Sequence, residues 1–209
     1  MIAIRAPDGQ NSQSFFDEVD NALMDIRAFF ALALPGSVAR WLADYADTLC
    51  QFDKQIEVNW VDAESYHLTL CFLGDISLEQ IDQLEEIARN KLAEVRSFQV
   101  RINTAEYYPV SNQLAVIAAM SQEDEELNGL NRAMMEIALE AGIEFKEEDF
   151  KPHITLGRLP ARNQFEAPEE WPSLDLFSLA DSVILFQSKP GERGSIYTPL
   201  FTIPLQDMA

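Results

Sequence analysis

The two histidines of the chain each begin the same short pattern. His67 starts the stretch His-Leu-Thr-Leu, and His153 starts the stretch His-Ile-Thr-Leu. Threonine occurs at only six of the 209 positions, so chance would place one two residues after both histidines roughly once in a thousand cases. If each stretch is a β-strand, residues i and i+2 share a face, and each imidazole lies beside a hydroxyl.

Two imidazoles and two hydroxyls in one cleft suit displacement at phosphorus. Imidazole titrates near neutral pH, so one ring can take a proton from water while the other gives one to the leaving oxygen. The hydroxyls of Thr69 and Thr155 would donate hydrogen bonds to phosphate oxygens. The sequence contains neither a metal-ligand spacing of His, Cys and carboxylate residues nor a glycine-rich phosphate loop. We therefore expect a reaction that uses no metal and no cofactor.

Strict alternation along the two strands predicts which neighbours share the histidine face. In the first strand it places Cys71 on that face and Phe72 on the core face. In the second strand it places Arg158 on the face opposite to the histidine, so Arg158 reaches the cleft only if the strand twists, bulges or ends there. Phe29 and Phe30 belong to an upstream apolar stretch and are expected to be core residues.

The remaining pattern predicts a strand, a helix and a strand around each histidine. Ser77 is a predicted N-cap with Gln80 at the capping-box position, and Gly142 is predicted to close a later helix. This order favours two similar lobes over a Rossmann sheet. Helices are predicted over 35–49, 77–95 and 121–141, and strands over 26–34, 56–60, 66–73, 98–102, 114–119, 153–157, 179–187 and 195–205.

Composition limits the classes of partner and compartment. The net charge of −20 argues against an extended nucleic-acid footprint, which needs clustered Lys and Arg; it is typical of a solubilising surface. Two cysteines, Cys50 and Cys71, are too few for a disulfide scaffold. No membrane span or signal peptide is recognisable, so we expect a cytoplasmic protein. We also expect it to be a monomer.

Residues 1–24 are interpreted as an N-terminal extension and residues 25–209 as one bilobed domain.

The motifs resemble those of a known superfamily. The two histidine stretches are similar to the paired H-x-T-x motifs of the 2H phosphoesterases. Their surroundings resemble the RNA 2′,3′-cyclic phosphodiesterases, also called 2′-5′ RNA ligase-like proteins. The resembling segments are Arg-Ala-Phe-Phe-Ala-Leu at 27–32, Leu-Thr-Leu-Cys-Phe-Leu-Gly at 68–74, Lys-Pro-His-Ile-Thr-Leu-Gly-Arg at 151–158, and the segment 188–197 that ends in Gly-Ser-Ile-Tyr.

The resemblance implies a fold, a reaction and a set of roles. The implied fold is α+β, with two pseudo-symmetric antiparallel sheets facing a central cleft and helices outside. The implied reaction converts a 2′,3′-cyclic phosphate on a small nucleotide or RNA 3′-end into a 2′-phosphomonoester. His67 would be the general acid and His153 the general base. Thr69 and Thr155 would hold phosphate oxygens, and Arg158 would add positive charge.

Two other functions stay open at this point. One is a nucleotide-binding module of the same fold that lacks useful catalysis. The other is a 2′-5′ RNA ligase or a processor of tRNA halves, because microscopic reversibility permits ligation at such a site. The strongly negative net charge argues against avid RNA binding by the ligase alternative.

Overall fold

The computed structural model describes residues 25–122, 124–144, 149–161, 165, 167–192 and 194–208, so the predicted extension over residues 1–24 lies outside the described residues. Within these ranges the chain forms nine β-strands and three α-helices, with short 3₁₀ turns at Cys50–Phe52 and Ala63–Ser65. In chain order they are β1 (Ile26–Ala33), α1 (Gly36–Leu49), β2 (Asn59–Trp60), β3 (His67–Ile76), α2 (Leu78–Lys91), β4 (Phe98–Pro109), β5 (Leu114–Ser121), α3 (Glu125–Glu140), β6 (His153–Pro160), β7 (Leu176–Ala180), β8 (Ser182–Gly191) and β9 (Gly194–Pro204).

The strands form one antiparallel sheet in the order β7-β4-β5-β6-β3-β1-β8-β9, with β2 paired to β6. The sheet has two halves. The first half is β3, β1, β8 and β9; the second is β6, β5, β4 and β7. A single residue pair, Leu68 with Ile154, joins them. The α+β class is confirmed, and the two predicted sheets are the two halves of this continuous sheet, because the two histidine strands pair at its centre.

Two of the three helices pack against the half of the sheet that does not contain the strand before them. α1 follows β1 of the first half but packs against β6 and β7 of the second. α3 follows β5 of the second half but packs against β3 of the first. The buried amide of Asn131 in α3 donates a hydrogen bond of 2.7 Å to the Leu70 carbonyl. This exchange holds the two halves of the sheet together, because α1 and α3 each bury their apolar side on the other half.

The helix ends follow local sequence signals. Ser77 and Gln80 form the predicted capping box of α2. The α3 helix begins later than predicted, because β5 continues to Ser121 and the carboxylate of Asp124 accepts from the first-turn amides. Gly142 follows α3 with a φ of 71°, a backbone conformation that favours glycine.

Three strand predictions differ markedly from the structure. The strand predicted over 98–102 continues to Pro109 as β4. The predicted strand over 56–60 shrinks to β2, because the carboxylate of Asp53 accepts from the amides of Glu57 and Val58 and turns the chain. Ile56 in that turn has a φ of 53°. The strand predicted over 179–187 is two strands, since β7 pairs with β4 before the chain enters β8.

No helix in the described ranges has the length and apolar character needed to span a bilayer.

Candidate active site

The candidate site lies on the seam between β3 and β6. Leu68 and Ile154 pair across the seam with exposures of 1% and 0%, so their side chains belong to the core. Because strand side chains alternate, the residues on either side of this pair project to the opposite face, which we call the cleft face. The four partly exposed residues so placed are His67, Thr69, His153 and Thr155.

Both imidazoles are held in the same way. Nδ1 of His67 lies 2.8 Å from the carbonyl oxygen of Ser65, and Nδ1 of His153 lies 2.7 Å from the carbonyl oxygen of Lys151. A carbonyl only accepts, so each Nδ1 carries the proton and donates it. Each Nε2 is thereby left as the atom that can take up or release a proton.

A β-bulge brings Arg158 to the cleft face. The register of β5 against β6 shifts between Ile117 and Ala118, which leaves Leu156 without a partner. Such an extra residue reverses the alternation beyond it. Arg158 therefore shares a face with His153, because the strand bulges as the sequence-based prediction required for Arg158 to reach the cleft.

Gly157 makes the close approach of β2 to this bulge possible. A Cβ atom at this position would lie 2.6 Å from Cγ1 of Val58 and 3.2 Å from Cε3 of Trp60. The amide of Val61 also donates to the Leu156 carbonyl at 2.8 Å. Any side chain at Gly157 would push β2 away from the bulge.

The equivalent bulge in β3 corrects two predictions. The register of β1 against β3 shifts between Phe30 and Ala31 and leaves Leu70 without a partner. Cys71 is consequently 7% exposed and belongs to the core, whereas Phe72 is 63% exposed. The predicted faces of Cys71 and Phe72 are therefore wrong, because the bulge exchanges them.

Aromatic side chains of the first half surround one imidazole. The Phe29 ring centroid lies 5.0 Å from that of His67, 5.8 Å from Phe72 and 5.6 Å from Phe186. The ring of Tyr197 meets His67 edge-on at 4.8 Å. Phe29 is buried as expected, but it packs beneath the imidazole on the cleft face.

This environment makes both imidazoles weaker bases than usual. Burial lowers the pKa of His67 from 6.5 to about 4, and the charges of Arg158 and His153 act in the same direction. Burial also lowers the pKa of His153, assisted by the charges of Lys151 and Arg158. Both rings are thus neutral at pH 7 in the empty site. The guanidinium of Arg158 acts on both imidazoles, which places it within electrostatic reach of each.

Tyr197 links the two halves of the site. Nη2 of Arg158, in the second half, donates to the hydroxyl oxygen of Tyr197, in the first half, at 3.2 Å. The sequence motifs do not single out Tyr197, which lies at the end of the resembling segment 188–197. No periodicity within β9 could have indicated a contact with a residue 39 positions away.

A charged group flanks the other imidazole. Nζ of Lys151 lies 2.9 Å from a carboxylate oxygen of Glu106 and 4.2 Å from the ring centroid of Tyr108. The Tyr108 ring meets His153 edge-on at 6.1 Å. The ammonium charge on this side of the cleft is therefore balanced by a carboxylate.

Among the described residues, no group of three or more His, Cys, Asp and Glu side chains converges as metal ligands would. The groups that share the cleft face at the seam are two imidazoles, two hydroxyls and one guanidinium. This set can hold an anionic group and move protons on both sides of it.

Comparisons with known proteins agree with this arrangement. Residues 32–118 match the family model described as LigT like Phosphoesterase. An RNA 2′,3′-cyclic phosphodiesterase of Methanothermobacter thermautotrophicus is 28% identical over 182 residues, covering 85% of this chain and 97% of that protein. The protein of the same name from Bacillus subtilis is 26% identical over 166 residues, covering 74% of this chain and 88% of that protein.

Solved structures share the fold. Escherichia coli LigT complexed with 3′-AMP superposes with a TM-score of 0.69 at 24% identity, covering 87% of this chain and 99% of that one. The Thermus thermophilus protein TT0787 gives a TM-score of 0.71 at 23% identity, covering 88% and 100%.

Proposed function

We propose that the chain, which is similar to the LigT-like phosphoesterase family over residues 32–118 and is 28% identical to an RNA 2′,3′-cyclic phosphodiesterase, hydrolyses 2′,3′-cyclic phosphates of nucleotides or RNA 3′-ends to 2′-phosphomonoesters. The proposal rests on the arrangement of the two imidazoles where β3 pairs with β6. Two neutral imidazoles face one cleft, both oriented by a carbonyl two residues upstream. Relatives named RNA 2′,3′-cyclic phosphodiesterase support the choice of substrate.

The two imidazoles divide the proton transfers. Nε2 of His153 takes a proton from a water molecule as its oxygen attacks phosphorus. The bond between phosphorus and O3′ breaks, and Nε2 of His67 gives its proton to O3′. The product keeps the phosphate on O2′. After the product leaves, the proton on His153 passes to solvent and both rings are neutral again, and His67 takes up a proton from solvent when the next substrate binds.

The low pKa of His67 suits this role only when substrate is present. A buried imidazole is protonated weakly because burial disfavours its charge. The negative phosphate of the substrate favours the charged ring and raises its pKa. Protonation of His67 is therefore coupled to substrate binding.

The remaining cleft residues hold the phosphate. The hydroxyls of Thr69 and Thr155 donate to its non-bridging oxygens. The guanidinium of Arg158 adds the positive charge, which has particular weight in a chain of net charge −20. Because the hydrogen bond to Tyr197 holds Arg158 before substrate arrives, this cation stabilises the phosphate charge with little reorganisation.

Phe72 offers a surface for the base of the nucleotide. It is 63% exposed although it lies on the cleft face beside Phe29, which contacts His67. Stacking of a base on an aromatic ring is favourable and tolerant of base identity. We place the nucleoside on this side of the site, where His67 can reach O3′.

The experiment is turnover of a nucleoside 2′,3′-cyclic phosphate by pure protein in EDTA, with product identified by chromatography against 2′- and 3′-phosphate standards. The expected product is the 2′-phosphate alone. His67→Ala and His153→Ala should each lower kcat by about 10²- to 10⁴-fold. Unchanged turnover in either variant, or formation of the 3′-phosphate, would refute the assigned roles.

A variant at Phe72 separates base binding from chemistry. Phe72→Ala should raise KM for the cyclic nucleotide while the affinity for inorganic phosphate stays the same. The same assays distinguish the other functions. A binding module would bind the nucleotide without product, and a ligase would join RNA ends with an affinity that falls steeply as salt rises.

A further inference from the structure

One side chain contacts groups on both sides of the seam. Tyr197 lies on β9 of the first half, and its ring packs edge-on against His67 at 4.8 Å and against Phe29 at 5.3 Å. Its hydroxyl oxygen accepts from Nη2 of Arg158, on β6 of the second half, at 3.2 Å. The Tyr197 ring is therefore held by Phe29 and His67 in the first half of the sheet, and its hydroxyl orients the guanidinium of Arg158 in the second half.

The partner of Arg158 is neutral, which distinguishes it from other cations of the protein. Lys151 is paired with Glu106, and Arg101 makes two hydrogen bonds to Asp175. Within the described part of the chain, no carboxylate lies within salt-bridge distance of Arg158. A carboxylate would both orient the guanidinium and cancel its charge, whereas a hydroxyl orients it and leaves the charge available.

Orientation matters because a free arginine side chain samples many rotamers. Holding it in one geometry removes an entropy cost that substrate binding would otherwise bear. The planar guanidinium still has donors left to bind oxygens of a phosphate.

We propose that Tyr197 is a positioning residue that aims Arg158 at a phosphate held between the two imidazoles. This inference rests on the proposed function, because it deepens the account of the same site. It assigns Tyr197 a part in phosphate binding that acts through Arg158.

The first test is Tyr197→Phe, which removes the hydroxyl and keeps the ring against His67. It should lower kcat/KM for a nucleoside 2′,3′-cyclic phosphate by about tenfold, as expected for loss of one hydrogen bond to a charged group. The melting temperature should not change. Thr198→Ala, an exposed neighbour on the same strand, is the matched control and should keep full activity.

The second test asks whether the hydroxyl acts through Arg158. In the background Arg158→Ala, the change Tyr197→Phe should cost less than twofold, because the group it positions is gone. A similar fold-loss in both backgrounds would overturn the proposal, and so would an unchanged kcat/KM for Tyr197→Phe alone.

Phosphate binding separates failure of this inference from failure of the proposed function. Inorganic phosphate is titrated while the imidazole Cε1–H signals of the two histidines are followed by NMR. Tyr197→Phe should weaken phosphate affinity about tenfold relative to the unchanged protein and to Thr198→Ala. This result would support the role of Tyr197 even if no cyclic nucleotide were hydrolysed. Equal affinities, or no phosphate binding by the unchanged protein, would overturn it.

Discussion

The depressed pKa of His67 makes the stability of the protein depend on pH in a way that one substitution can isolate. Burial lowers this pKa from 6.5 to about 4. The unfolded chain therefore binds the proton at a higher pH than the folded chain does. The contribution to stability is fully present above pH 6.5 and is lost as the pH falls toward 4.

The magnitude follows from the two pKa values. One pKa unit corresponds to about 1.4 kcal/mol, so the free energy of unfolding should fall by about 2 kcal/mol between pH 7.5 and pH 5 through His67 alone. Carboxylates and His153 also titrate in this pH range, but they do so equally in a variant that lacks only His67, so their effect cancels in the comparison. His67→Asn lacks this titration, and its free energy of unfolding should fall by about 2 kcal/mol less over the same interval.

The assay is urea unfolding of both proteins at the two pH values, followed by fluorescence. NMR gives an independent reading, because two histidines give two Cε1–H signals and His67→Asn identifies one of them. A parallel fall in stability for both proteins, or a His67 signal that titrates near 6.5, would show that the ring is not desolvated as the structure indicates.

Three further predictions concern the reaction and the seam. In a pH-rate profile kcat/KM should be highest below pH 6.5 and should fall toward alkaline pH, because His67 must be protonated to donate and its pKa is lowered; a rate that climbs through pH 8 would contradict this. Gly157→Ala should cost about 1–3 kcal/mol of stability, measured by thermal unfolding, because its Cβ would lie 2.6 Å from Val58; Gly129→Ala on α3, where the nearest atom is 3.9 Å away, is the control and should not destabilise. Asn131→Ala should lower the free energy of unfolding, measured in urea, by about 1–3 kcal/mol, because it leaves the buried carbonyl of Leu70 without its donor. A free energy of unfolding within about 0.5 kcal/mol of the unchanged protein, the usual range for surface substitutions, would count against that role.

The histidine strands and helix caps could be predicted because their signals are local. Side-chain alternation along His67 to Leu70 needs only the strand period. The capping box of Ser77 and Gln80 depends on residues three apart. Neither signal requires knowledge of which strand lies beside which.

The residues that were misplaced depend on strand pairing. Whether Leu70 or Leu156 is an extra residue is decided by the register of the neighbouring strand, which a single sequence does not display. β7 was missed because it is a short edge strand whose partner, β4, lies far away along the chain. Tyr197 was missed for the same reason, since its contacts come from folding.

The two bulges make a nearly symmetric pair of motifs chemically different. Each bulge follows its histidine by three residues, and each turns the residue at the fifth position toward the cleft. That residue is Phe72 in the first motif and Arg158 in the second. Since the histidines, threonines and carbonyl contacts repeat, these bulged positions make the two sides chemically different: one is apolar and suited to a nucleoside, the other is cationic and suited to phosphate. Under the proposed reaction, exchange of roles between His67 and His153 would require the nucleoside to occupy the side that carries Arg158, so the position of the nucleoside tests which histidine is the general acid.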